Sequence, residues 1–129
     1  MKRGDIVLVD LPELVSGTGH EQTGTRPSLI VHNDTTSQIL SVIMMIPFTS
    51  RVSSQKFPHT IAVQPSVKNS LNAPYFLMIF QLRAIDKRRI VKKIGQLEES
   101  IMNQVDEEMK RLLGLSKGDV THPFFLLGE

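Results

Sequence analysis

The longest apolar run in the chain, Ile39 to Phe48, is interrupted only by Ser41 and closes on Pro47-Phe48. It falls far short of the roughly 20 residues that cross a bilayer. Near-continuous apolar sequence of this length is what a central strand covered on both faces requires, and Pro47 is expected to mark its end. The remaining elements follow from that strand. Ile6 to Asp10 is β-branched and stops at Leu11-Pro12, which reads as a first strand. Ser28 to His32 is a short β-rich run after Pro27, and Asn33-Asp34-Thr35-Thr36 supplies a turn into the apolar run, so the two form a hairpin. His59 to Val63 and Tyr75 to Phe80 read as two further strands, separated by the polar, proline-containing segment Gln64 to Pro74.

From about Glu98 to Leu113 the period changes. Ile101, Met102, Val105, Met109, Leu112 and Leu113 recur at helical spacing. Glu98 and Glu99 open the segment, Lys110 and Arg111 close it and Gly114 follows, matching the helix dipole and the C-terminal stop. The pattern predicts an amphipathic helix. Many short strands with one late helix make a mainly β (α+β) domain, a small, strongly bent antiparallel sheet or barrel with the helix packed against it. At 129 residues the chain has room for one such core. Residues 1–115 are expected to form that domain and 116–129 a tail that ends in the apolar cluster Phe124 to Leu127.

Composition narrows the function by exclusion. With no cysteine, disulfides and thiolate metal sites are excluded. Asp5 and Asp10 interrupt the place where a secretory signal would carry its apolar stretch, so the expected location is the cytoplasm, without membrane contact. The four histidines are scattered and lack close carboxylate spacing, so no metal or other cofactor is expected. His32, His59 and His122 read as structural histidines. The Met44-Met45 pair and the methionines of the helix read as core filler. A glycine-rich phosphate loop leading into Lys-Ser or Lys-Thr is lacking, as is a serine nucleophile elbow, so nucleotide hydrolysis and acyl transfer recede.

Three patches carry chemistry. Glu13 to Thr25 holds three of the eight glycines together with Ser16, Thr18 and Thr23, a long surface loop of the kind more often functional than idle. Pro47-Phe48-Thr49-Ser50 follows the central strand. Gln81 to Lys93 carries Arg83, Lys87, Arg88, Arg89, Lys92 and Lys93 against the single acid Asp86, although the net charge of +2 is too small to imply nucleic acid by itself. Half of those six cations are expected only to solvate the surface. Taken alone, Arg26 would read as a surface ion pair beside a turn and Thr49 as an ordinary turn-capping hydroxyl.

In order and spacing, Arg3-Gly4-Asp5-Ile6-Val7, Gly19 to Pro27, Pro47 to Ser50 and Leu82-Arg83-Ala84-Ile85-Asp86-Lys87-Arg88-Arg89 resemble the MazF/PemK RNA interferases. The resemblance continues through Ile94-Gly95-Gln96-Leu97 and the helix to Leu115. It implies a barrel of the CcdB/MazF type, SH3-like, with about five to seven strands and usually dimeric. It also implies the toxin of a type II toxin-antitoxin system: a metal-independent, sequence-specific endoribonuclease that acts on single-stranded RNA and is neutralised by a cognate antitoxin. Cleavage would proceed by attack of the 2′-hydroxyl, leaving a 2′,3′-cyclic phosphate and a 5′-hydroxyl.

On the matching positions, Arg26 falls to electrostatic stabilisation, since a guanidinium stays charged and forks onto two phosphate oxygens. Thr49 falls to positioning the phosphate by its hydroxyl. Neither is a good base, so Glu21 and His20 become the candidates for proton transfer. His20 departs from the family, which often has serine there; an imidazole titrating near 6.5 could move a proton or only stack on a base. Gln22 and Gln81 match positions that read a base edge, and Arg83 and Lys87 match RNA-contacting positions on the basic run. Two rivals use the same scaffold. One is a gyrase poison of the CcdB type, whose characteristic Trp-Gly-Ile end is absent from this tryptophan-free chain. The other is a catalytically degenerate RNA-binding regulator.

Overall fold

A computed structural model describes residues 1–11 and 25–116. The loop expected from Glu13 onward, apart from Thr25, lies outside the described residues, as do His20, Glu21, Gln22 and the tail from Lys117. The described chain forms strands β1 (Asp5–Asp10), β2 (Thr25–Ile30), β3 (Val42–Thr49), β4 (Thr60–Val63), β5 (Tyr75–Met78), β6 (Arg83–Asp86) and β7 (Ile90–Gln96), followed by helix α1 (Glu99–Leu112). All seven strands pair antiparallel in one sheet, ordered β4-β5-β3-β2-β1-β7, with β6 also on β3.

The apolar run does become the strand at the centre, and its alternate residues serve two cores. Ile46 and Phe48 point into a cluster with Ile6, Leu29, Leu77, Ile79, Met102 and Val105. Ile43 and Met45 point the other way, to Val7, Val9, Ile30 and Ile85. Helix α1 covers the first face with Met102 and Val105, so both methionines of the Met44-Met45 pair are core: Met45 is buried and Met44 packs on the helix side.

The sequence reading needs correction at both ends of β3. Ile39 and Leu40 are exposed and belong to the turn region before the strand. Pro47 does not end it, for β3 continues to Thr49. Proline is accepted here because of the neighbours. On one side Pro47 faces Ser28 of β2. On the other, β6 pairs with β3 only up to Met45 and β5 only from Phe48, so Ile46 and Pro47 fall in the gap between them. An N–H missing at a break in the ladder takes no hydrogen bond from the sheet.

Five residues, Met78 to Leu82, span that gap of two, so the chain must bow outward there, and it does so through the 3-10 turn Ile79–Gln81. The basic run is the second correction: it contributes β6 and β7, two strands not assigned from its pattern. Ile85 and Ile90 turn toward the second core while Arg83, Lys92 and Lys93 stay exposed.

Helix α1 ends as expected. Gly114 has φ of 75°, and the amides of Gly114 and Leu115 donate back to the carbonyls of Arg111 and Lys110 at 3.1 and 2.7 Å, a left-handed glycine cap. At the other end Glu98 is the N-cap residue, and its side chain makes no capping hydrogen bond to the helix. Its carboxylate accepts from Ser66 Oγ and Asn69 Nδ2, and buried Asn69 in turn accepts from the amides of Ser66 and Leu71 at 2.9 and 3.0 Å.

Candidate active site

Cross-strand partners share a sheet face, and residues two apart on a strand return to it. Ser28 of β2 faces Pro47 of β3. Arg26 stands two residues before Ser28 and Thr49 two residues after Pro47, so both lie on the same face and at the same end of the β2–β3 pair. It is the face away from α1. The register of β1 agrees: Val7 faces Ser28 and Val9 faces Arg26, and both valines belong to the second core. Arg83 joins this face from β6, where it pairs with Met45, and Phe76 of β5 pairs with Thr49.

The two residues differ in setting. Arg26 is half-buried. Thr49 is buried, and its Oγ1 accepts the amide hydrogen of Arg51 at 3.2 Å, the turn-capping bond that an ordinary threonine would make there. That bond occupies an acceptor lone pair and leaves the hydroxyl hydrogen to be donated. One same-face step further along β2, Ser28 is fully buried, with no partner for its hydroxyl among the described residues.

The other sequence-derived residues separate into groups. Gln81 closes the turn that bows out beside Pro47, half-buried and two residues before Arg83. Lys87 lies elsewhere: it follows the Val42–Asp86 pair at the opposite end of β3, its amide donates to Ser41 O at 3.0 Å and its Nζ to Ser37 O. There it lines a cavity of about 620 Å³ with Lys2, Asp34, Ile43 and Ile90. The structure does not bring Lys87 together with Arg26 and Thr49.

Of the six cations in the run, Lys87 and three more are engaged by the protein itself. Arg88 forks onto Asp86 at 2.9 and 3.1 Å, Arg89 NH1 donates to Asp10 O at 3.3 Å and Lys93 meets Asp5 at 3.3 Å. The hydrogen bonds from the Arg88 side chain and amide hold the Asp86 carboxyl at about 2. His32 is buried, its Nδ1 accepting the Met44 amide at 2.9 Å, and His59 Nδ1 meets Glu108 Oε1 at 3.0 Å, so both sit within the framework.

Sequence reasoning passed over Phe57 and Phe80. Their rings meet at 5.5 Å between centroids although both are exposed. Phe57 was the signal available: a large apolar residue with no periodic partner inside a polar segment.

A fixed cation and a neutral hydroxyl set side by side suit an anionic oxygen, and neither takes a proton readily at neutral pH. The corner stands on an antiparallel sheet backed by one helix that follows the last strand. The chain is a member of the PemK-like, MazF-like toxin family of type II toxin-antitoxin systems, whose model matches residues 2–113. Solved structures of similar fold include an endoribonuclease in complex with its cognate antitoxin from a mycobacterial species, 19% identical, covering 92% of this chain and 99% of that one with a TM-score of 0.68. The Mycobacterium tuberculosis toxin MazF-mt6 is 20% identical over 87% and 98% of the two chains, with a TM-score of 0.69. MazF from Deinococcus radiodurans is 22% identical over 88% and 96%, also with a TM-score of 0.69.

Proposed function

We propose that this toxin is a metal-independent endoribonuclease that cuts single-stranded RNA at a preferred sequence by attack of the RNA's own 2′-hydroxyl on the adjacent phosphorus. The observation that carries the reading is the placement of Arg26 and Thr49 on one face and at one end of the β2–β3 pair. In that mechanism Arg26 stabilises charge developing on the phosphate oxygens, and Thr49 donates its free hydroxyl hydrogen to the same group. Proton removal and leaving-group protonation fall to Glu21 or His20. Gln22 and Gln81 read base edges and Arg83 holds a phosphate, while Lys87, engaged at Ser37, adds only long-range attraction. The catalytic domain comprises residues 1–115.

The related endoribonuclease solved in complex with its cognate antitoxin supports a cognate antitoxin as the natural inhibitor here. A homodimer acting in the cytoplasm completes the reading; among the described residues no helix is long and apolar enough to cross a membrane.

The test is incubation of the purified protein with mixed RNA in excess EDTA, followed by substrate carrying 2′-deoxy at the mapped cut site. Cleavage in EDTA with cyclic-phosphate ends, abolished by the deoxy sugar, is the expected result. Cutting of the deoxy substrate, or strict dependence on a metal, overturns it.

A further inference from the structure

Two phenylalanines break the rule that large apolar rings are covered. Phe57 is 50% and Phe80 36% exposed, yet each lies against the other, tilted at 48°. The remaining described aromatic pair, Phe48 with Tyr75, is edge-to-face at 5.9 Å with Phe48 in the core. The exposed pair has a defined place. Phe80 is the middle residue of the Met78–Leu82 bow that clears the gap beside Pro47, directly before Gln81. Phe57 ends the short segment that leaves β3 at Thr49, through the turn Val52–Lys56. The two segments are tied together by the Ile79 amide donating to His59 O at 2.9 Å. The rings therefore stand on a fixed part of the fold, reached from both Thr49 and Gln81.

We propose that Phe57 and Phe80 form a stacking platform for one unpaired base of the RNA strand, a role that rests on RNA being the substrate. A half-exposed ring has area left for a third π system, and stacking on an aromatic is how unpaired bases are commonly held. The electrostatics favour a polyanion over a protein side chain. From Thr35 to Ile85 the chain has no acidic residue, and its charged side chains there are Arg51, Lys56, Lys68 and Arg83. Two helix carboxylates lie along the neighbouring groove against Thr60 to Ala62, and both are engaged: Glu108 by His59 and Arg111, and Glu107 by Lys110. With Arg26 and Thr49 holding the phosphate, Gln81 beside a base edge and the ring pair one residue further, the strand would run from the sheet face onto the bow.

The probe is a short single-stranded RNA with 2′-O-methyl sugars, which blocks self-attack, and 2-aminopurine scanned through its positions, whose fluorescence falls on stacking. The parent protein should quench at one position. Joint Phe57→Leu and Phe80→Leu substitution, which keeps apolar bulk but removes both π faces, should abolish that quench and weaken binding by about fivefold to a hundredfold. Phe57→Trp should retain both. Equal binding and quench in the leucine pair overturns the proposal. A parent that cuts RNA but quenches at no position overturns it while leaving the nuclease reading intact; a parent that quenches without cutting does the reverse.

Discussion

Arg26 and Thr49 extend the Ser28–Pro47 pairing by two residues on each strand, which sets a guanidinium and a hydroxyl on the face opposite the helix. Their proximity is thus a property of register. A slip of one residue between β2 and β3 would turn one of them to the other face, and buried Leu29, Ile30, Met45 and Ile46 on both sides hold the register against that.

Arg26→Ala should lower the rate constant for RNA cleavage about a hundred- to a thousandfold, the usual effect of removing one preorganised donor from a developing anion. Arg26→Lys should recover little, because an ammonium cannot reproduce the fork. Single-turnover cleavage with thermal unfolding as a control reads both. Cleavage within a few-fold of the parent in Arg26→Ala would remove Arg26 from the site.

In the proposed mechanism Thr49 has two hydrogen-bonding roles, one in the turn and one toward the phosphate, which stability and cleavage rate read separately. Thr49→Ser keeps the acceptor for the Arg51 amide and the donor hydrogen, and should cleave within a few-fold of the parent. Thr49→Val keeps the branched shape and loses both. If the hydroxyl donates to a charged phosphate, about 1.5–3 kcal/mol of transition-state stabilisation disappears, a tenfold or greater fall in rate. A valine variant that is less stable but fully active would confine Thr49 to the turn.

The elements that were legible from sequence are those with their own periodicity. Helix α1 and its Gly114 cap repeat every turn, and β3 announces itself by apolar density. β6 and β7 were not legible, because in Gln81 to Lys93 the inward positions Ile85 and Ile90 are separated by the turn Lys87–Arg89 and outnumbered by cations. Pro47 misled for a related reason: the break in pairing that tolerates it arises from how β5 and β6 share one edge of β3, which no local window contains. Arg26 and Thr49 stand out in the sequence through their motifs, but their shared face depends on a long-range register. Lys87 was placed by motif near the same chemistry, and the fold carries it to the other end of β3.

Gly95 lies on β7 where the loop before β5 crosses closely. A Cβ there would lie 2.6 Å from the Asn69 carbonyl carbon and 2.9 Å from Lys68 O, and these are backbone atoms that cannot swing aside. The same loop is pinned by the Gln96 amide on Lys68 O at 3.0 Å. Gly95→Ala should therefore destabilise the fold by about 1–3 kcal/mol, as overpacking does. Urea unfolding checks it, and unchanged stability would mean that the loop moves freely.

Glu98 gives the fold an acid-sensitive joint between that loop and α1. Burial pushes its carboxyl up, but hydrogen bonds from Ser66, its own backbone and Asn69, with the Lys68 charge, outweigh burial and hold it below its ordinary 4.5. A carboxyl depressed in the folded state contributes stability that is fully present above the unfolded value, near 4.5, and lost as pH falls through the lower folded value. Glu98→Gln should be less stable than the parent at neutral pH, and the two should converge in acid as the parent's own carboxyl protonates. Urea midpoints followed from pH 7 downward show this as a gap that closes below about pH 4.5. A gap constant with pH would mean that Glu98 acts through shape and hydrogen bonding alone, whereas a gap that widens in acid would reverse the sign argued here.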